Sequence, residues 1–169
     1  YAFRANAAKE SLLHLLRHTC KRLLATLRKT DATRATAVRA KLDDAALFGA
    51  KKERSEFHLT TAERTARLQT TVCAALACAR LVRAQLDVPT PLTPEQRTPI
   101  LAWLSYLDKI IADEVVQVPS ANPAQPQITE RPAEDKGAYR LGSATDPDAS
   151  YRVHSHTGDK TDFGYNGQV

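Results

Sequence analysis

The residues best suited to hold a metal ion by type lie near the end of the sequence. His154 and His156 alternate along a strand-like stretch, with four aspartates nearby: Asp146, Asp148, Asp159 and Asp162. Imidazole and carboxylate groups can together bind a transition ion. Aspartates in turn-rich sequence are, however, favoured for hydrogen bonds to their own backbone. The pattern therefore predicts turns, and we predict no metal ligand in this chain.

The three cysteines form no redox or zinc motif. Cys73 and Cys78 are five residues apart, which turns them about 140° from each other on a helix and keeps them from sharing a disulfide or an ion. An odd count without framework spacing is typical of a reducing cytoplasm. We expect Cys20, Cys73 and Cys78 to be small apolar core residues. The sequence also lacks a glycine-rich phosphate loop and a nucleophile elbow.

Basic residues are concentrated in the first third of the chain. The formal net charge is +5, and residues 1–58 hold 13 Lys/Arg against 6 Asp/Glu. Such an asymmetry favours a polyanionic partner such as nucleic acid. Helices are also often basic for solubility alone, so the charge leaves both interpretations open.

Residues 7–117 have apolar side chains at the spacing of α-helices. We therefore expect most of these cations to lie on helices. A first helix is predicted over about 8–29, with an apolar stripe on one side: Leu12, Leu16, Cys20, Leu23 and Leu27. Its basic residues Arg17, Lys21 and Arg28 lie on another side, with His14 and His18 nearby. A second helix is predicted over about 32–48 after the cap Thr30-Asp31. These two helices carry nine of the 13 basic residues in 1–58.

Two start signals predict the remaining helices. Thr60 and Glu63 have the capping-box form, which predicts a helix over 61–87 that Pro89 and Pro91 end. Thr93 and Gln96 repeat the signal. Because Pro99 should clash with the preceding turn, we expect an initial turn at 94–97 and a main helix from 98.

After the helices the composition changes twice. Residues 118–148 are rich in proline, alanine and polar residues and have no period, which predicts a linker or long loop. Residues 150–169 alternate with period two around a turn at 157–160, which predicts a β-hairpin. Two strands alone are marginally stable in water, so we expect partner strands from 1–5 or from outside the chain.

Two motifs resemble the same protein family. The stretches "SATDPDA" at 143–149 and "FGYNGQV" at 163–169, with Lys160 between them, resemble a sequence motif of bacterial insertion-sequence transposases of the DDE type, in the same order. The stretch "RANAAKESL" at 4–12 resembles an earlier segment of those proteins. Ser150 and Gly167 depart from the family pattern, which usually has a basic and an apolar residue there.

The resemblance implies a catalytic domain with a ribonuclease-H-like fold, in which three acidic residues bind two Mg²⁺ ions for phosphodiester chemistry. Aligned on the motifs, the three acids fall before Tyr1 and after Val169, so we expect an internal, catalytically inactive segment without catalytic residues or a cofactor of its own. We therefore expect a mainly α chain: 1–6 ending the first core strand, 7–117 a four-helix insertion, 118–148 a linker and 150–169 a hairpin of the incomplete α/β sheet.

DNA, at the element ends and the target, is the partner that the resemblance and the charge imply. The DNA-binding candidates are Arg4, Asn6, Arg17, Lys21, Arg22, Arg28, Lys29, Lys160, Tyr165 and Asn166. A homodimer through the helical insertion is a further expectation. No apolar run approaches the roughly 20 residues that cross a bilayer, so we expect no membrane partner and a cytoplasmic protein. The alternative is a non-catalytic basic helical module that binds DNA or dimerises.

Overall fold

The chain folds mainly into helices, followed by short antiparallel strands. The computed structural model describes residues 10–118, 120, 126–137, 140–146, 150–153 and 161–164. Within them it has five α-helices: α1 Leu12–Thr30, α2 Ala32–Arg39, α3 Asp44–Phe48, α4 Thr61–Leu86 and α5 Pro94–Glu114. The strands are β1 Val115–Val118, β2 Gln127–Glu130, β3 Ser150–Val153 and β4 Thr161–Gly164. The predicted mainly α class with a small β element is confirmed.

Local capping determines where the long helices begin. The Ser11 hydroxyl accepts a hydrogen bond from the His14 amide, which starts α1. Thr60 and Glu63 form the predicted capping box of α4, and Thr93 and Gln96 form that of α5. Each box satisfies amides that the first helical turn leaves unpaired.

The prediction of one helix over 32–48 is wrong, because the chain turns between α2 and α3. The Asp43 side chain accepts a hydrogen bond from the Ala46 amide at 2.9 Å and so begins a new helix. The turn lets Val38 and Leu47, one on each short helix, both reach the core. A side chain that competes for backbone amides favours such a break.

A continuous α5 through Pro99 also differs from the expectation of a separate initial turn. Pro99 removes only the hydrogen bond to the Glu95 carbonyl, and both residues are exposed to solvent. The Thr93–Gln96 box holds the first turn in helical geometry. The capping box and the burial of Ile100, the residue after the proline, together keep this segment in one helix.

Helices α1, α4 and α5 pack around one apolar core. Its fully buried side chains include Leu16, Leu23 and Leu27 of α1, Val72 and Val82 of α4, and Ile100, Leu107 and Ile110 of α5. Trp103, expected as a core anchor, is half-buried against this core and meets Tyr106 edge to face at 5.4 Å between ring centroids. The buried positions Leu16, Leu23 and Leu27 show that the leucine stripe predicted for α1 faces its neighbouring helices.

Parts of the expected linker are folded. Strand β2 pairs antiparallel with β1, from Val115 opposite Glu130 to Val118 opposite Gln127. Ile128 is almost completely buried, and Leu141 and Ala144 also join the core. The sequence did not predict that these residues are buried, because each is an isolated apolar residue in a polar segment and belongs to no periodic run.

The predicted C-terminal hairpin is confirmed where the structure describes it. Strands β3 and β4 pair antiparallel, from Ser150 opposite Gly164 to Val153 opposite Thr161. The candidates Lys160, Tyr165 and Asn166 lie outside the described residues, as do His154 and His156 and the N-terminal candidates Arg4 and Asn6. In the described part of the chain, no helix is long and apolar enough to cross a membrane.

Candidate functional site

Helix α1 carries no acidic residue, although it holds five of the basic ones. Those five are Arg17, Lys21, Arg22, Arg28 and Lys29. Packing of the other elements against α1 divides them into one cation that is paired inside the protein and four that face solvent.

Arg17 is the paired cation. Its Nε atom donates to the Leu47 carbonyl at 3.1 Å, and its two terminal nitrogens donate to the Glu53 carboxylate at 2.5 and 3.0 Å. Only 15% of its side chain is exposed, and Arg67 adds a second cation 3.3 Å from Glu53. Arg17 therefore anchors α3 and the segment after it to α1, and its charge is compensated within the chain.

Replacing Glu53 with glutamine is expected to lower the free energy of unfolding by about 1.5–3 kcal/mol at neutral pH, because two hydrogen bonds to a charged partner are weakened. The hydrogen bonds from Arg17 and the positive charges of Arg17 and Arg67 outweigh partial burial and lower the pKa of Glu53. A lowered folded-state pKa gives stability that is full above the unfolded value of about 4.3 and is lost as the pH falls through the folded value.

Urea denaturation of wild type and Glu53→Gln at pH 7 and pH 3 checks this expectation. The difference between the two proteins should shrink at pH 3. The exposed Glu134→Gln variant is the control and should match wild type at both pH values. An equal Glu53→Gln effect at both pH values would contradict a role for the carboxylate charge.

The four exposed cations Lys21, Arg22, Arg28 and Lys29 form what we call the basic face. At 100° per residue they lie within an arc of about 120° and span about 12 Å along α1. Lys21 also lies 5.8 Å from the centre of the Phe48 ring. Within the described ranges the other three make no hydrogen bond or ion pair through their side chains.

A second arrangement lies at the start of α1 and was not predicted. We call Glu10, His14 and His18 the Glu10 cluster. The Glu10 Oε2 atom lies 3.2 Å from His18 Nδ1 and 3.6 Å from His14 Nε2. Four-residue spacing on a helical face was the sequence signal that would have found it.

Residues far along the chain orient Glu10. Its Oε1 atom accepts hydrogen bonds from the Ser143 hydroxyl and the Ala144 amide, both at 3.1 Å. The Glu10 amide donates to the Gly142 carbonyl at 2.9 Å. Glu10 thus fastens the beginning of α1 to the segment 142–144, and its side chain is only 10% exposed.

An open cavity of about 700 Å³ lies beside the Glu10 cluster and is bordered by charges of both signs. Glu114 on its wall is buried and meets Lys136 at 2.7 Å and Arg140 at 3.4 Å. These charges largely compensate one another. Ser11 and Glu56 also line the cavity, and the Ser11 hydroxyl donates a hydrogen bond to the Glu56 carboxylate at 2.8 Å. The same hydroxyl accepts a hydrogen bond from the His14 amide as the cap of α1, which gives Ser11 a structural role.

The residues described do not fit the Mg²⁺ pair of a DDE active site. Among the residues that the structure describes, the Glu10 cluster is the only group of three or more closely spaced potential metal ligands, and it offers a single carboxylate. Mg²⁺ takes oxygen ligands, chiefly carboxylates and water. We therefore derive no reaction step through that ion in this chain.

The cysteines pack as expected, with one contact that the spacing along the chain did not reveal. Cys20 of α1 and Cys78 of α4 are both fully buried, and Cys73 is partly buried. A hydrogen bond to Cys78, together with burial, raises the pKa of the Cys20 thiol. Cys20 and Cys78 are enclosed in the core and Cys73 packs against it, so the three residues act as core side chains.

Comparisons with protein-family models, with curated proteins and with solved structures found no match to this chain.

Proposed function

We propose that this chain is part of a cytoplasmic DNA transposase of the DDE type and that the basic face of α1 contacts the DNA backbone. The family assignment is supported by the motif resemblance at both ends of the sequence. The observation that carries the DNA contact is the set of four exposed cations, Lys21, Arg22, Arg28 and Lys29, on a helix without acidic residues.

Phosphate binding requires cations that are not already neutralised. Many other basic residues of the described chain meet acids, as Arg39 meets Asp44 and Arg83 meets Asp108. The basic face has no such acid within its arc. Duplex DNA presents about one negative charge per 1.7 Å of axis, so a strip about 12 Å long faces several phosphates.

Arg28 and Lys29 also have a structural role, because they lie in the last turn of α1. Cations there interact favourably with the carbonyl end of the helix dipole, by about 0.3–1 kcal/mol each. This role affects the stability of the helix and predicts no DNA affinity. The two roles are therefore separated by measuring unfolding and DNA binding on the same variants.

Replacing Lys21, Arg22, Arg28 and Lys29 with glutamine is expected to remove most of the salt dependence of DNA binding. Four phosphate contacts give a slope of about −3.6 in a plot of log affinity against log salt concentration. Wild-type affinity should therefore fall about 100-fold between 50 and 200 mM salt, whereas the variant should bind weakly at both. Fluorescence anisotropy with a labelled duplex measures the slopes.

A matched control carries the same loss of charge elsewhere. Lys41, Lys51, Lys52 and Arg80 are also exposed, and their side chains make no hydrogen bond or ion pair in the described ranges. Replacing these four with glutamine should preserve most of the wild-type slope. Equal losses in the two variants would show that net charge alone drives binding and would contradict a specific basic face.

The homodimer expected from the sequence is tested on the same samples. Sedimentation at several protein concentrations gives the number of chains in each complex. A dimer would double the cations that face DNA and steepen the slope accordingly. A monomer at all concentrations would leave the DNA contact intact and contradict the homodimer.

The family assignment has its own test in the flanking coding sequence. The resemblance predicts an aspartate two residues before Tyr1 and two further acids after Val169. Their absence would contradict an active DDE enzyme without affecting the DNA contact of α1.

A further inference from the structure

We propose that the Glu10 cluster binds one divalent transition-metal ion of zinc type, held by Glu10 Oε2, His14 Nε2 and His18 Nδ1. This inference does not depend on the proposed DNA contact. It also departs from the expectation that the chain holds no metal ligand, and it rests on residues other than His154 and His156.

The separations of the three ligand atoms suit such an ion. A tetrahedral zinc site with bonds of about 2.0–2.1 Å places its ligand atoms about 3.3 Å apart. The Glu10 oxygen is 3.2 Å from the His18 nitrogen and 3.6 Å from the His14 nitrogen, and all three atoms lie within 4.8 Å of one another. The His14 side chain is 66% exposed and has room to close the remaining distance.

The carboxylate is already oriented for this task. Glu10 Oε1 accepts hydrogen bonds from Ser143 and Ala144, and the carboxylate then lies with both oxygens 3.2 Å from His18 Nδ1 and with Oε2 toward His14. Outer hydrogen bonds of this kind fix the orientation of metal ligands and typically change metal affinity 10- to 100-fold. A carboxylate that served only as a surface charge would not need two partners more than 130 residues away.

The types of ligand select the class of ion. Two imidazoles and one carboxylate suit Zn²⁺ and neighbouring first-row ions such as Co²⁺, whereas Mg²⁺ and Ca²⁺ take oxygen ligands. On binding, the ion would lie between the His18 ring nitrogen and the Glu10 carboxylate, which are 3.2 Å apart, and any proton on that nitrogen is released. Because His14 is exposed, water can complete the coordination at the fourth position.

Binding of the ion would also have a structural consequence. Glu10 joins α1 to the segment 142–144 through hydrogen bonds. A metal bond from Glu10 to two histidines of α1 strengthens that junction, since ions that bind only the folded state stabilise it. The ion is therefore expected to raise the midpoint of thermal unfolding.

Cobalt titration of the full chain tests the proposal, with visible d–d absorption as the readout and zinc as the competitor. Wild type should bind one equivalent of Co²⁺, and Zn²⁺ should displace it. His14→Ala should weaken binding at least about tenfold, and Ser143→Ala, which removes one of the two hydrogen bonds that orient Glu10 Oε1, should weaken it by about tenfold. His58→Ala is the matched control, because His58 is exposed and lies outside the cluster.

Three results would overturn the proposal. One is the absence of saturable cobalt binding, which would make the cluster a hydrogen-bonded ion pair only. Another is equal affinity in wild type and His14→Ala, provided that circular dichroism shows both to be folded. The third is a strong near-ultraviolet sulfur-to-cobalt band, which would place the ion on the cysteines.

Discussion

Replacing Glu114 with glutamine is expected to lower the free energy of unfolding by about 3–5 kcal/mol, the cost of breaking a buried ion pair. Glu114 is 6% exposed and meets Lys136 at 2.7 Å and Arg140 at 3.4 Å. Lys136 is also enclosed, with 9% of its side chain exposed. Without the carboxylate, Lys136 and Arg140 lie close together, partly enclosed at the cavity wall, and lose the acid that they share.

The ionisation of Lys136 explains why the loss is large. Burial alone would lower the pKa of Lys136, but its hydrogen bonds to Glu114 and Glu130 outweigh burial and raise it. The ammonium therefore stays charged at neutral pH and needs its partners. Glu130 is 56% exposed, so solvent screens its contribution more than that of Glu114.

Urea denaturation of Glu114→Gln, Glu134→Gln and wild type at pH 7 measures the effect. Glu134 lies nearby in the 3-10 turn Ala133–Asp135 and is exposed, so its replacement should change stability by less than about 0.5 kcal/mol. A loss below about 1 kcal/mol for Glu114→Gln would show that the two cations find water or other acids instead.

Replacing Arg34 with methionine is expected to lower the free energy of unfolding by about 2–4 kcal/mol, because buried hydrogen bonds lose their donor. Arg34 is 6% exposed, and its terminal nitrogens donate to the carbonyls of Gln85 and Thr90. Its Nε atom donates to Asp31 at 3.0 Å. The side chain thus closes the end of α4 and joins it to the start of α2.

Arg80→Met is the control for this variant, because Arg80 is an exposed cation of α4. Methionine keeps most of the apolar stem in both variants and removes only the guanidinium group. The same denaturation experiment should give a near-zero change for Arg80→Met. A similar small change for Arg34→Met would mean that water replaces the guanidinium at both carbonyls.

The starts of α4 and α5 were predictable because caps act over three residues. The start of α1 was not, since the helix expected from about residue 8 begins at Leu12 after the Ser11 cap. The Thr60–Glu63 and Thr93–Gln96 boxes were recognised from sequence, and the structure has both. The leucine stripe of α1 was predictable for the same reason, since helical spacing alone places those residues on one face. The break between α2 and α3 was missed because the Asp43 side chain accepts a hydrogen bond from the Ala46 amide and begins a new helix. The spacing of apolar residues, on which the prediction of one helix was based, does not reveal such a hydrogen bond.

The candidate site was only partly predictable. The sequence placed Arg17 and Lys21 on the same side of the first helix. In the structure Glu53, which is 36 residues from Arg17, pairs with Arg17 and leaves Lys21 exposed. The Glu10 cluster likewise depends on Ser143 and Ala144, more than 130 residues away. Spacing along the chain holds no information about such partners.

By itself the sequence determined the helical character of this protein, the caps of α4 and α5 and the concentration of positive charge on α1. Only the tertiary structure decided which cations remain exposed, which thiols meet and where Glu10 points. The physical reason is range, because helix periodicity and capping depend on neighbours within about four residues. Ion pairs and ligand clusters depend instead on how distant segments pack, and packing decides which charges lose contact with water.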